Sequence, residues 1–100
     1  MQTFNITSAT TTTLRNIHSN AGSVKSIRLT NTHASTLVTI DLFVEDSSSN
    51  KFYIAKTDIP GSTSLLLTEG LSYSRNTFTL KITTSAGGLS TSTPLSVIIQ

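Results

Sequence analysis

SVKSIRLTNTHASTLVTIDLFVED, residues 23–46, is the stretch whose reading decides the fold. Its second half alternates without a break. Val38, Ile40, Leu42 and Val44 share one face, and Thr39, Asp41 and Glu45 share the other, the period-two pattern of a half-buried strand. Its first half does the same over fewer residues, with Ile27 and Leu29 opposed to Arg28 and Thr30. Between them lies a polar tip, Asn31-Thr32-His33-Ala34-Ser35. The stretch therefore reads as one β-hairpin: a strand ending at Thr30, the tip, and a long strand from Leu37 to Glu45. Val24 has the wrong parity for the Ile27–Leu29 face, which predicts a bulge near Lys25. Leu37 and Phe43 interrupt the polar face, so that face is expected to be partly covered.

The same period recurs outward from this centre. Thr77–Thr84 places Phe78, Leu80 and Ile82 inward, and Leu95–Ile99 does so with Leu95, Val97 and Ile99. Lys51–Thr57 reads as a strand with Phe52 and Ile54 on one side, Tyr53 and Ala55 on the other. Ser64–Thr68 is a shorter strand, and Leu71–Asn76 a linking loop that tucks Leu71 and Tyr73 inward. Asp46–Asn50, Pro60-Gly61, Glu69-Gly70 and the Ser85–Pro94 segment carry turn and loop chemistry, with Gly61 expected to supply a positive φ in a type II turn. Residues 1–22 alternate weakly. Phe4 and Ile6 define a first short strand, and the hydroxyl run Thr10–Thr13 leads to Leu14 and Ile17 before a turn at Ser19–Gly22. The run of β-branched residues disfavours helix. No helical periodicity of useful length occurs. The expected fold is all-β: one two-sheet antiparallel β-sandwich of seven to eight short strands, jelly-roll-like or immunoglobulin-like. Residues 1–22 would form an N-terminal strand or arm, and residues 23–100 the sandwich core of a single domain.

At 100 residues the chain is one domain of ordinary size. It has no cysteine, so neither a disulfide nor a cysteine-held metal braces it. Charged residues make up 12% of the chain and the formal net charge is +2, with no basic run, which argues against nucleic acid. Serine and threonine, about a third of all residues, supply the polar surface. No apolar stretch reaches the roughly 20 residues of a membrane span. The sequence MQTFNITSAT lacks the basic-then-apolar order of a signal peptide.

Chemistry-bearing motifs are sparse. His18 and His33 stand alone, without a carboxylate or thiol at ligand spacing. Asp41, Glu45 and Asp46 could offer oxygens to a hard cation, but a calcium cage needs about six. There is no nucleophile elbow and no phosphate loop. Asn5-Ile6-Thr7 matches the glycosylation sequon. Tyr53 and Tyr73 could line a sugar groove or sit at the edge of the core. The sequence reads as a non-enzyme without catalytic residues, cofactor or metal.

SIRLTNTHASTLVTIDLFVED (26–46), KFYIAKTDIPGSTSLLL (51–67), NTFTLKITT (76–84) and LSVIIQ (95–100) together resemble small virion structural proteins of tailed bacteriophages, cyanobacterial phages among them. The resemblance covers residues 23–100 in outline. It implies a capsid decoration, or cement, protein that binds and stabilises the shell of the major capsid protein. Such a protein works as a homo-oligomer, trimer or dimer, in a virion assembled in the host cytoplasm. Neck, tail and baseplate structural roles belong to the same wider group. A carbohydrate- or cell-surface-binding module of a tail fibre is the competing reading. On this reading the contacts with neighbours come from Phe4, Ile6, Leu14 and Ile17 in the arm, from the hairpin tip around Asn31, Thr32 and His33, and from Phe43. The arm would add a strand to a neighbouring sheet.

Overall fold

The computed structural model describes residues 2–15, 24–68, 77–85 and 88–100. They form eight strands and no helix: β1 (Gln2–Ile6), β2 (Thr11–Arg15), β3 (Ile27–Asn31), β4 (Val38–Glu45), β5 (Lys51–Ile59), β6 (Thr63–Leu67), β7 (Thr79–Ser85) and β8 (Leu95–Ile99). Two antiparallel four-stranded sheets result. The first has the order β1-β8-β3-β6 and the second β2-β7-β4-β5. The turns expected at Ser19–Gly22 and Glu69-Gly70, the Leu71–Asn76 loop, and residues Ile17, His18 and Tyr73 lie outside the described residues.

The pairing is nested. β1 pairs with β8, β2 with β7, β3 with β6 and β4 with β5. This is one long four-tiered ribbon, folded at the β4–β5 turn and rolled up. Rolling brings β3 against β8 and β4 against β7. A rolled ribbon of this kind is a jelly roll, which decides between the two sandwich topologies expected from the sequence.

Residues 23–46 are not a hairpin. β3 lies in the first sheet and β4 in the second, so the segment between them crosses the sandwich. Both are interior strands with neighbours on either side. Their alternating aliphatics meet through the core instead of lying side by side. Alternation fixes which face of a strand is buried, and leaves open which strand lies beside it. Asn31 secures the crossing. It is buried, and its Nδ2 donates to the carbonyls of Thr36 (2.8 Å) and Ile59 (2.9 Å), while Oδ1 accepts the His33 amide at 3.1 Å.

The core is aliphatic. Ile27, Leu29, Leu95, Val97 and Ile99 from the first sheet face Val38, Ile40, Leu42, Leu80 and Ile82 from the second. Full burial of such a side chain stabilises by roughly 1.5–3 kcal/mol in transfer terms. Val24 joins this core because the chain bulges behind it. The Lys25 and Ser26 amides both donate to the Gln100 carbonyl, at 2.6 and 3.0 Å, two residues facing one.

β1 and β2 are edge strands of the two sheets, not a free arm, and Ile6 and Leu14 belong to the core. Their connection is fixed by Thr84, a buried hydroxyl. Its Oγ1 lies 2.9 Å from the Ser8 carbonyl and accepts the Thr10 amide at 3.2 Å.

Two further expectations are corrected. A register shift where β5 passes Leu42 and Phe43 leaves Ile54 without an opposite residue. Ala55 faces Leu42 and packs against the core together with Ile54, whereas Phe52, opposite Val44, is 53% exposed. In the Pro60-Gly61 turn the positive φ falls on Ser62, at 57°, not on Gly61. Glycine is required at position 61 for space: a Cβ there would stand 2.7 Å from the Ser35 amide nitrogen.

Candidate interaction surfaces

The two outer faces differ in charge. The strands of the second sheet carry Arg15, Asp41, Glu45, Lys51, Lys56, Asp58 and Lys81, whereas those of the first carry only Arg28. On the second sheet the charges largely satisfy one another. Lys81 Nζ reaches Glu45 at 2.7 Å and Lys56 Nζ reaches Asp41 at 3.2 Å. Thr39 Oγ1 donates to Asp58 at 2.7 Å. The Lys56–Asp41 pair is largely exposed and contributes about 0–1 kcal/mol, whereas the Lys81–Glu45 pair is partly buried.

Phe43 lies within that charged face. It points away from the main core, yet it is buried. Tyr53 packs against it with ring centroids 5.6 Å apart, and Lys51 Nζ sits 5.2 Å from its centroid. Lys56 in turn lies over Tyr53 at 4.3 Å. The partial covering expected for this face thus comes from the chain itself, and Phe43 offers no surface to a neighbour.

The outer face of the first sheet is built from Thr3, Asn5, Arg28, Thr30, Ser64, Leu66, Ser96 and Ile98. Arg28 stands between Leu66 and Ile98, its cross-strand partners. With Ser26, Thr68 and Gln100 these three line a shallow depression of about 320 Å³. Among the described residues Arg28 has no acidic partner. Leu66 is 50% exposed.

The sheet edges differ in the same sense. β2 and β5 border the second sheet; each contains a register shift and at least one charged side chain. Bulges and edge charges are the usual means of discouraging strand-to-strand association. β1 and β6 border the first sheet. Each pairs through five consecutive residues without a shift, and neither contains a charged residue or proline.

The other residues expected at contacts are dispersed. Phe4 is half-buried at the rim of the core, while Ile6, Leu14 and Asn31 are buried and turned inward. The surface these three were expected to offer is used within the fold. Thr32 is exposed and donates to the Pro94 carbonyl at 2.6 Å. His33 Nδ1 accepts the amides of Ser35 (3.2 Å) and Thr36 (3.0 Å), and its ring lies against Gly88. His33 thus organises the crossing segment.

Asp41 and Glu45 are engaged by lysines, and Asp46 is engaged by its own loop. Among the described residues no three histidine or acidic side chains converge as a metal site would need. The uncharged edges and Leu66 were missed in the sequence. Sorting the charged residues strand by strand would have exposed the imbalance, but only once the sheet membership of each strand was known. Comparison with protein-family models, curated proteins and solved structures gives no match.

Proposed function

We propose that this chain is a non-enzymatic virion structural protein, a capsid decoration protein that binds the major capsid protein shell and stabilises it as a homo-oligomer. The observation that supports this reading is the division of the surface. The strands of one face and its two edges carry hydroxyls, Leu66, Ile98 and Arg28 as their one charged residue, while those of the opposite face are charged and largely paired with one another. A decorating protein needs one side that loses water readily against a broad surface and another that stays hydrated. Depletion of charge is the mark of the centre of a protein interface. Arg28 between two aliphatics suits a carboxylate on the shell, which its guanidinium can engage in bidentate fashion. Repetition over the particle turns weak single contacts into firm attachment.

The test is quantitative mass spectrometry of purified particles, followed by add-back of the protein to undecorated shells. A copy number comparable with that of the major capsid protein, with rebinding weakened by Arg28→Glu, supports shell decoration. A copy number typical of a single neck, tail or baseplate ring replaces it with that role. The carbohydrate-binding alternative draws on Tyr53, which is 49% exposed. Binding on a glycan array that disappears with Tyr53→Ala would favour it.

A further inference from the structure

The four edge strands invite different partners. We infer that the first sheet is continued from molecule to molecule, with the free side of β6 pairing antiparallel with the free side of β1 in a neighbouring copy. Among the described residues no strand occupies the outer side of either. The directions are compatible. Within the sheet β1, β8, β3 and β6 alternate, so a copy set alongside in the same orientation presents β1 antiparallel to β6.

The lengths and faces also agree. Each strand has five residues, and pairing end to end puts Thr63 opposite Ile6, Ser64 opposite Asn5, Leu65 opposite Phe4, Leu66 opposite Thr3 and Leu67 opposite Gln2. The core-facing positions of one strand then meet the core-facing positions of the other. Leu65 and Phe4, each only partly buried at a rim of its own core, would cover one another. Leu66, half exposed on the outer face, would lie beside Thr3. A charge-bearing or bulged edge could not offer this ladder, which is why β2 and β5 are unsuited to it. The contact uses two different patches, so successive copies close into a ring if the rotation between them permits. This inference stands on the edges alone and does not depend on the virion reading.

Analytical ultracentrifugation of the intact protein tests it. The wild type should sediment as an oligomer at high micromolar concentration. Leu66→Lys and Thr3→Lys each put a charge on one side of the proposed ladder at an exposed position, and each should shift the mass to that of the monomer. Leu66→Lys combined with Thr3→Glu should restore the oligomer, because the two side chains become a cross-strand ion pair. Circular dichroism of each variant checks that the fold is retained. Amide exchange in the wild type adds a readout without substitution: protection of β1 and β6 should rise with protein concentration. A monomeric wild type, or an oligomer untouched by Leu66→Lys, overturns the inference. An oligomer broken by Leu66→Lys but indifferent to Thr3→Lys overturns the β6-to-β1 pairing.

Discussion

The side-chain nitrogen of Asn31 lies 2.9 Å from the carbonyl oxygen of Ile59, so a buried hydrogen bond ties β3 of one sheet to β5 of the other. All the polar atoms of this amide are used, and its neighbours depend on it. Asn31→Ala would leave the Thr36 and Ile59 carbonyls and the His33 amide without it, at a cost of about 2–4 kcal/mol. Asn31→Asp should cost more, because it turns a carboxylate oxygen toward two carbonyl oxygens. Urea denaturation of both variants checks the size and the order.

Ile6→Ala and Leu14→Ala should each lower stability by about 2–5 kcal/mol, the range for a truncated aliphatic in a packed core. Deleting residues 2–15 removes two of eight strands and should leave a chain without a cooperative thermal transition. A detachable arm would instead leave a folded remainder, and calorimetry separates the two outcomes.

Gly61→Ala should destabilise by about 1–3 kcal/mol, because the new methyl meets backbone atoms of His33 and Ser35 and the chain itself must shift to admit it. Gly88→Ala should also destabilise, since the new methyl meets the His33 ring, whose displacement gives up the bonds it accepts from the Ser35 and Thr36 amides. Thermal melts of the two variants give the comparison.

Phe43→Ala should cost about 3 kcal/mol although the residue lies outside the main core, since a buried aromatic leaves a cavity wherever it is removed. It should also release Lys51 and Tyr53, which can be followed by loss of the ring-current shifts on the lysine resonances.

The Asp46 carboxyl is held below its ordinary value chiefly by the backbone amide of Asn50; desolvation, next in size, opposes this, and the Asn50 side chain and the Ser48 amide reinforce it. The folded value is depressed, so its contribution to stability is complete above the unfolded value. It is lost as the pH falls through the folded one. An NMR titration should place the Asp46 midpoint below that of a free aspartate, and Asp46→Asn should remove this part of the acid-side loss.

Much of the fold was legible because alternation is local. Val38, Ile40, Leu42, Leu80, Ile82 and Val97 each declare their buried face from their immediate neighbours, and all are buried. Lateral partners are set by residues far apart in the chain, so β3 and β4 looked like a hairpin when they are separated by the core. The register shift at Ile54 puts Ala55 on the core side with Ile54 for the same reason: its cause is the match with β4, not the composition of β5. Asn31 looked like a tip residue since asparagine favours turns, and its burial depends on carbonyls five and 28 residues away. The contact residues were the least legible. Apolar side chains read as available to a neighbour were already used inside, and the open edges are marked only by what they lack.

The nested pairing places Gln2 opposite Ile99, with β8 inserted between β1 and β3. Formation of the first sheet therefore waits on Leu95–Ile99, which follows the other seven described strands in the chain. Until it arrives, β1 and β3 each expose a vacant side, and sequence-distant closure of this sort is slow. During that interval the vacant sides can also take up the β8 of another molecule, so crowded synthesis favours strand exchange.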